Sequence, residues 1–230
     1  MGMDMDSDLD KLQLAREYAP ILLCDVREPF FPVRIGVSVF SDPGPSPSFR
    51  REVPFRSGRD RYVIEYAIYW DYDIQHLYEL EHVWVCVGED GTVTYCEASF
   101  HGKYWRGLRK DRSNLSGNRV KLYCQPGKHA MTPIVELFEL IPNFETCTDE
   151  EAGDAGLIMT SPFQDKYEMS EEIDALVRAH LQAYRFKPSG TYVPYEAPAE
   201  LFVTWEQLRE EVPVRIRRIV KELAAIPPTS

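Results

Sequence analysis

Residues 62–72 read YVIEYAIYWDY, an almost unbroken run of β-branched and aromatic side chains. Side chains of these types favour strands, and their density here predicts a central strand of a sheet. Residues 81–87 and 92–99 follow as two alternating apolar and polar runs, separated by the turn-forming sequence Gly-Glu-Asp-Gly. This spacing predicts a β-hairpin. The middle of the chain is therefore expected to be β-structure.

Three other segments have strand-like sequences. Residues 21–39 contain the runs ILLCD and FFPVRIGVSVF, in which Pro32 indicates a strand start or a sheet edge. Residues 119–124 and 134–140 are shorter runs of the same kind. Together with the hairpin, they predict a mainly β fold.

Helical patterns are confined to the two ends of the chain. A short helix is expected over residues 7–18, and a second begins at Ser170, whose hydroxyl can cap an acidic first turn. A third amphipathic stretch covers residues 205–225, where Pro213 should kink or restart the helix. These helices are expected to cover a face or an edge of the sheet.

The bulk properties favour one globular domain. A chain of 230 residues can bury a substantial core, so residues 1–230 are expected to form a single domain, with a β-rich core at about 19–142 and a helical part at about 169–226. The net charge of -11 argues against nucleic acid as a partner, since phosphates demand a basic surface. The oligomeric state is left open.

The cysteines and the N-terminal sequence indicate a cytoplasmic location. The five cysteines are an odd number without a CxxC pair, which fits a reducing compartment: Cys24, Cys86, Cys96, Cys124 and Cys147. The acidic start MGMDMDSDLD does not resemble a secretory signal, and no later run is long and apolar enough for a transmembrane segment.

Groups that bind cations are concentrated between the central strand and the hairpin. Residues 70–82, WDYDIQHLYELEH, contain two Asp, two Glu and two His. Glu79 and Glu81 project to one face of an extended chain, and His76 can approach from the loop. Carboxylate oxygens with one imidazole nitrogen suit Mg, Mn, Ca or Zn. The segment indicates a divalent-metal site, and a solvated acidic loop is the alternative that the spacing leaves open.

The same segment resembles the signature of necrosis-inducing-protein-like cytolysins. Residues 66–73, YAIYWDYD, are similar to a YAWYFPKD-type strand of that family, and residues 76–83, HLYELEHV, to the GHRHDWEHV motif after it. That region holds a divalent metal in the family. The resemblance implies the following metal ligands in this chain: Asp73, His76, Glu79 and Glu81.

The chain departs from the cytolysin motif at several positions. Gln75, Tyr78 and Leu80 stand where the family has Gly, His and Trp, and Glu79 stands where it has Asp. Metal binding tolerates these changes better than toxicity does. A cytolysin also needs secretion, for which the sequence offers no signal.

A related vacuolar-protein-sorting-associated family resembles other segments of the chain. These are residues 18–21 (YAPI), 100–102 (FHG) and 127–131 (GKHAM), so that the resemblances span roughly residues 15–135. They imply a β-sandwich with the metal at the end of a central strand. The expected fold class is mainly β, a β-sandwich with a short N-terminal helix and C-terminal helices packed on the sheet.

Two histidines and two arginine-rich stretches are further candidates for ligand contact. His101 and His129 stand in glycine-flanked turns, where they could bind substrate or shuttle protons, and the alternative is that they are ordinary loop histidines. The arginines of residues 50–61 and 103–112 could contact a small polar ligand or an anionic head group, or form local salt bridges.

Three functions remain open on the sequence alone. The first is a metal-binding β-sandwich protein that recognises a polar ligand without chemistry of its own. The second is a metal-dependent hydrolase that uses the same site, with His101 or His129 as candidate catalytic residues. The third is a structural or interaction protein without a metal, in which the acidic cluster is only surface.

Overall fold

The computed structural model describes residues 7–226. Its strands are β1 (Ile21–Asp25), β2 (Arg34–Phe40), β3 (Gly44–Pro45), β4 (Glu52–Val53), β5 (Asp60–Tyr72), β6 (His76–Gly88), β7 (Val93–Phe100), β8 (Lys103–Arg106), β9 (Leu115–Ser116), β10 (Arg119–Cys124), β11 (Met131–Thr132), β12 (Gly156–Leu157), β13 (Tyr192–Tyr195) and β14 (Phe202–Thr204). Its α-helices are α1 (Asp8–Tyr18), α2 (Glu171–Leu181) and α3 (Trp205–Ala224). Short 3-10 helices lie at Val135–Leu140, Thr146–Thr148, Ser161–Phe163, Gln182–Tyr184 and Ala199–Leu201.

The larger sheet has the strand order β14-β2-β5-β6-β7-β8, and β12 pairs with β6. The predicted central strand is confirmed, because β5 pairs antiparallel with β2 on one side and with β6 on the other. The predicted hairpin is confirmed as β6 and β7. Its turn is closed by the Gly88 N–H, which donates to the Thr92 carbonyl at 2.8 Å, and it uses Gly91 at a φ of 76°.

The smaller sheet has the strand order β11-β10-β1-β13, and β9 pairs with β10. Its inner side chains share one hydrophobic core with the larger sheet, in which Leu22 and Leu122 are buried together with Ile64 and Val85. Two sheets that enclose a common core make a sandwich. The expected fold class, a mainly β sandwich with a short N-terminal helix and C-terminal helices, is confirmed.

The helices begin at the residues that their capping patterns predict. Ser7 Oγ accepts from the Asp10 N–H at the start of α1, and Ser170 Oγ accepts from the Ile173 N–H at the start of α2. The helix α3 lies against β2, where a Cβ on Gly36 would come within 2.8 Å of Leu208 Cδ2. It is continuous through the buried Pro213, so of the two predicted effects of this proline, a kink or a restart of the helix, the restart does not occur.

The strand predicted at residues 134–140 is wrong, because residues 135–140 form a 3-10 helix. The sequence Val-Glu-Leu-Phe-Glu-Leu repeats every three residues, which matches the three residues per turn of a 3-10 helix and not the two-residue alternation of a strand. Phe138 is buried, whereas Leu140 is 76% exposed.

Two observations bear on the expected surroundings of the protein. None of the helices within residues 7–226 combines the length and the apolar run that a membrane crossing requires. All five cysteines are free thiols with buried side chains.

Candidate metal centre

The loop between β5 and β6 folds the Asp73 carboxylate back over a tight turn. The Asp73 N–H donates to the His76 carbonyl at 3.0 Å, and the Gln75 N–H donates to Asp73 Oδ1 at 2.7 Å. An Asp side chain that bonds the backbone two residues ahead is a common turn former. The turn therefore brings a carboxylate and an imidazole to the end of the central strand pair.

Neighbouring segments hold this loop on both sides. The Ile74 N–H donates to the Gly127 carbonyl at 2.8 Å, and the Gly153 N–H donates to the Ile74 carbonyl at 2.9 Å. On the far side, Gln75 Nε2 donates to Glu151 at 2.8 Å. Glu151, in an acidic run, thus helps to hold the loop in place. The sequence of this run does not predict that contact.

The backbone at Tyr78 brings His76 and Glu79 to one point. Residues three apart point to opposite faces of a regular strand, but Tyr78 has a φ of 57° and interrupts the alternation. His76 Nε2 lies 3.6 Å from both Asp73 Oδ1 and Glu79 Oε2. Asp73, His76 and Glu79 each offer a ligand atom, and these atoms all lie within 4.8 Å of one another.

Two hydrogen-bonding features of this cluster fit a bound cation. His76 Nδ1 donates to the Tyr78 carbonyl at 2.8 Å, so Nε2 is the nitrogen that faces the two carboxylates. Metal-binding histidines are usually oriented in this way by a bond from their other nitrogen. Asp73 Oδ2 is buried and has no hydrogen-bond partner, which is costly for an ionised oxygen unless a cation lies beside it.

A lysine that the sequence analysis did not single out completes the cluster. Lys128 is 7% exposed, and its Nζ lies 2.6 Å from Asp73 Oδ1. It reaches the loop from the turn after β10, where Gly127 has a φ of 69°. In the sequence, Lys128 stands in the glycine-containing turn Gln-Pro-Gly-Lys-His and in the resembling segment 127–131, and nothing in the spacing connects it with Asp73.

Glu81, the fourth predicted ligand, lies outside this cluster of three. The Ser99 hydroxyl donates to Glu81 Oε2, and the His101 N–H donates to Glu81 Oε1 at 3.4 Å. Both carboxylate oxygens therefore already have protein donors. A role for Glu81 in metal binding stays a prediction.

Burial and charge move the pKa values of these groups in different directions. Burial raises the pKa of both Glu79 and Glu81 to about 7, and Asp73 adds to the effect by repulsion. Burial also acts on Asp73, but His76 and Lys128 outweigh it and hold the pKa of Asp73 below its usual range. At neutral pH, the centre therefore gains protons easily when no cation is present.

In the metal-free protein, the contribution of Glu79 and Glu81 to stability should fall as the pH rises from about 4.5 to 7. Glu79 and Glu81 have folded-state pKa values of about 7, above the unfolded value of 4.5, so their contribution is complete below pH 4.5 and lost as they ionise in the folded state. The expected loss in the free energy of unfolding is about 3 kcal/mol for each carboxyl, or roughly 6 kcal/mol for both, measured by urea denaturation in EDTA. The lowered pKa of Asp73 acts only below its usual value of 3.8, outside this window.

The Glu79→Gln/Glu81→Gln double variant is the control for this pH dependence. It has no carboxyl to ionise at these two positions, so it should lack their decline. The buried His82, whose pKa is lowered to about 3, should make both proteins more stable as the pH rises toward 6.5, so the comparison is the difference between them. The same pH dependence in the wild type and the double variant would contradict the assignment to Glu79 and Glu81.

The two predicted histidines lie in different surroundings. His101 lines a cleft of about 290 Å³ together with Glu79 and Glu81, and its Nε2 lies 2.8 Å from Gln125 Oε1. His129 is 1% exposed, and its ring stacks on Trp70 with the ring centres 4.6 Å apart. His101 is therefore open to a ligand in the cleft, whereas His129 is packed in the interior.

The first arginine-rich stretch is largely engaged within the protein. Arg51 and Arg56 both pair with Glu97, and the Arg51 guanidinium lies 3.8 Å from the ring centre of Tyr104. Arg50, in contrast, is exposed and lines the cleft beside Glu79. Of these three arginines, Arg50 is the one that can meet a ligand in the cleft.

Comparison with known proteins gives only distant likenesses. No family model matches the chain, and no curated protein does so either. A solved structure described as NLPPya in complex with glucosamine matches 53% of this chain and 66% of its own chain, with 21% identity and a TM-score of 0.36. Necrosis and Ethylene inducing Protein 2 from the causal agent of cocoa's Witches Broom disease matches 51% of this chain and 66% of its own, with 20% identity and a TM-score of 0.34.

This chain thus spans slightly less than two thirds of the length of these two solved proteins. A third structure, described as a toxin fold as basis for microbial attack and plant defense, has 17% identity and a TM-score of 0.31 over 54% of this chain and 72% of its own. These structures include necrosis-inducing proteins, the class whose motif residues 66–83 resemble.

Proposed function

We propose that this protein binds a divalent metal at the end of the β5-β6 strand pair and recognises a polar ligand in the adjoining cleft. The observation that carries the proposal is the convergence of Asp73, His76 and Glu79, together with the buried Asp73 Oδ2 that has no hydrogen-bond partner. Two carboxylates and one imidazole suit Mg, Mn, Ca or Zn. Glu81, next to the cluster, is the fourth candidate ligand.

The chemistry of the cleft supports a polar ligand. Its lining combines the carboxylates of Glu79 and Glu81 with the side chains of His101, Thr160 and Ser161. The carboxylates can accept hydrogen bonds from the hydroxyl or amino groups of a ligand, and the hydroxyls can both accept and donate them. A bound metal would add a positive charge that attracts ligand oxygens.

The residues at the rim of the cleft could bind an anionic group of the ligand. Arg50 is exposed there, and Phe49 beside it offers an aromatic surface. A guanidinium forms paired hydrogen bonds with carboxylate or phosphate oxygens. A small polar ligand or head group that carries one negative charge fits this distribution of groups.

Metal binding is tested by titration of the EDTA-treated protein with Mg, Mn, Ca and Zn in turn. At least one ion should bind at a ratio of one per chain and raise the melting temperature, because it binds only the folded site. Glu79→Gln should weaken this binding by about tenfold or more, since it removes a charged ligand. Glu89→Gln, in the exposed turn of the hairpin, removes the same charge elsewhere and should leave binding unchanged.

An EDTA-treated protein that neither binds nor gains stability from any of these ions would end the proposal. The acidic cluster would then be part of a structural or interaction protein without a metal, the third function considered from the sequence.

A metal-dependent hydrolase is the second candidate function, and His101 favours it. Burial lowers the pKa of His101, which keeps its imidazole neutral at pH 7. When its Nε2 donates to Gln125, its Nδ1 is free to accept a proton from a reactant in the cleft. A bound metal would supply Lewis acidity at the adjacent carboxylates.

Turnover distinguishes the hydrolase from the binding protein. The metal-loaded protein is screened against phosphoesters, carboxylic esters and glycosides with and without EDTA. If EDTA abolishes hydrolysis and His101→Ala lowers its rate, the protein is a metal-dependent hydrolase. A metal-loaded protein without turnover is a binding protein.

A cytoplasmic location forms part of the proposal. The five free, buried cysteines support a reducing compartment, where thiols persist without pairing. Microscopy of a fluorescent fusion to the full chain tests this location, and accumulation of the fusion outside the cytoplasm would contradict it.

A further inference from the structure

Lys128 is a charged residue on a loop, yet its side chain is buried. Its ammonium is 2.6 Å from Asp73 Oδ1, and only 7% of the residue is exposed. Lysines near a surface usually extend their charged end into water, because burying an ammonium is costly unless it is paired. The Gly127 turn directs this lysine inward, and the pair with Asp73 compensates its burial.

Lys128 lies among several acidic side chains. When ionised, Asp73, Glu79 and Glu81 carry three negative charges in one buried region, and Lys128 neutralises one of them. It also occupies Asp73 Oδ1, so that Oδ2 is the carboxylate oxygen without a protein partner. A divalent ion that binds Oδ2 therefore binds to a carboxylate already shared with an ammonium group.

We propose that Lys128 is a built-in cation that stabilises the site when no metal is bound and weakens its affinity for metal. The inference rests on the proposed function and goes one step further. A positive charge a few ångströms from a divalent ion repels it, whereas the same charge stabilises the ionised carboxylates near it in the metal-free protein. Both effects reduce the free energy gained when a metal binds.

The Lys128→Met variant tests this role, because methionine has a similar length and no charge. The EDTA-treated wild type, Lys128→Met and the control Lys110→Met, an exposed lysine, are titrated with Mn²⁺ by calorimetry. Lys128→Met should bind Mn²⁺ about tenfold more tightly than the wild type. Without metal it should melt about 5 °C lower, and saturating Mn²⁺ should raise its melting temperature more than that of the wild type.

The outcomes separate this inference from the proposed function. If the wild type binds Mn²⁺ and Lys128→Met binds it equally or more weakly, the role of Lys128 is refuted and metal binding stands. If only Lys128→Met binds Mn²⁺, the role of Lys128 stands and the wild type is not a metal protein. If neither binds, both are refuted. Should Lys128→Met not fold without metal, Lys128→Gln, whose amide can still donate to Asp73, is titrated in the same way.

Discussion

Asp73→Asn is expected to abolish metal binding and to lower the free energy of unfolding by about 3 kcal/mol, even in EDTA. The carboxylate is fully buried and pairs with Lys128 at 2.6 Å. An amide keeps the shape of the side chain but leaves the buried ammonium of Lys128 without the carboxylate that it contacts. Removal of one partner of a buried ion pair typically costs 3–5 kcal/mol for this reason.

Urea denaturation in EDTA measures the change in stability, and calorimetry with Mn²⁺ measures the loss of binding. Asp111→Asn is the matched control, because Asp111 is exposed and its loss should change stability by less than about 0.5 kcal/mol. The Asp73→Asn/Lys128→Met double variant should be more stable than the sum of the two single changes predicts. Strictly additive effects would show that the two side chains do not stabilise each other.

Gly127→Ala is expected to lower the free energy of unfolding by about 3 kcal/mol and to weaken metal binding. An added Cβ would lie 2.7 Å from Ile74 Cγ2 and 2.9 Å from Ile74 Cβ, and the φ of 69° is itself unfavourable for alanine. The positive φ costs about 1 kcal/mol and the clash about 2 kcal/mol. Because Ile74 lies in the Asp73 loop, the clash should displace the metal ligands.

Gly117→Ala serves as the control for backbone strain alone. Gly117 has a φ of 58° and no heavy atom within 4 Å of an added Cβ, so only the cost of the positive φ applies. It should lose about 1 kcal/mol in urea denaturation and bind Mn²⁺ normally. Equal losses for the two glycines would mean that the Ile74 contact is unimportant.

Local patterns were sufficient to predict the centre of the fold. The alternating runs around the Gly-Glu-Asp-Gly turn predicted the hairpin correctly. One face of each strand is buried, and the residues of the turn set the register of the two strands. The same reasoning failed at residues 134–140 because a three-residue repeat was interpreted as a strand. Short apolar runs do not distinguish these structures unless their period is counted.

The candidate site could be predicted only in part. Asp73, His76 and Glu79 are close in the sequence, so their density pointed to the metal centre. Their convergence depends on the backbone of Tyr78, whose positive φ is not encoded by any residue preference. Lys128 was missed because it reaches Asp73 through the tertiary fold, and long-range pairing leaves no periodic signal in one sequence.

Two non-glycine residues at this centre have unfavourable backbone angles. Tyr78 lies between two candidate ligands and has a φ of 57°, and His101, which lines the cleft, has a φ of 50°. Non-glycine residues pay for such conformations in free energy. Tyr78 is fully buried and its hydroxyl bonds Thr160 and Tyr167, so its packing outweighs this cost. His101 is exposed, so a selection for thermostability alone would favour glycine or asparagine there and would remove one candidate ligand contact from the cleft.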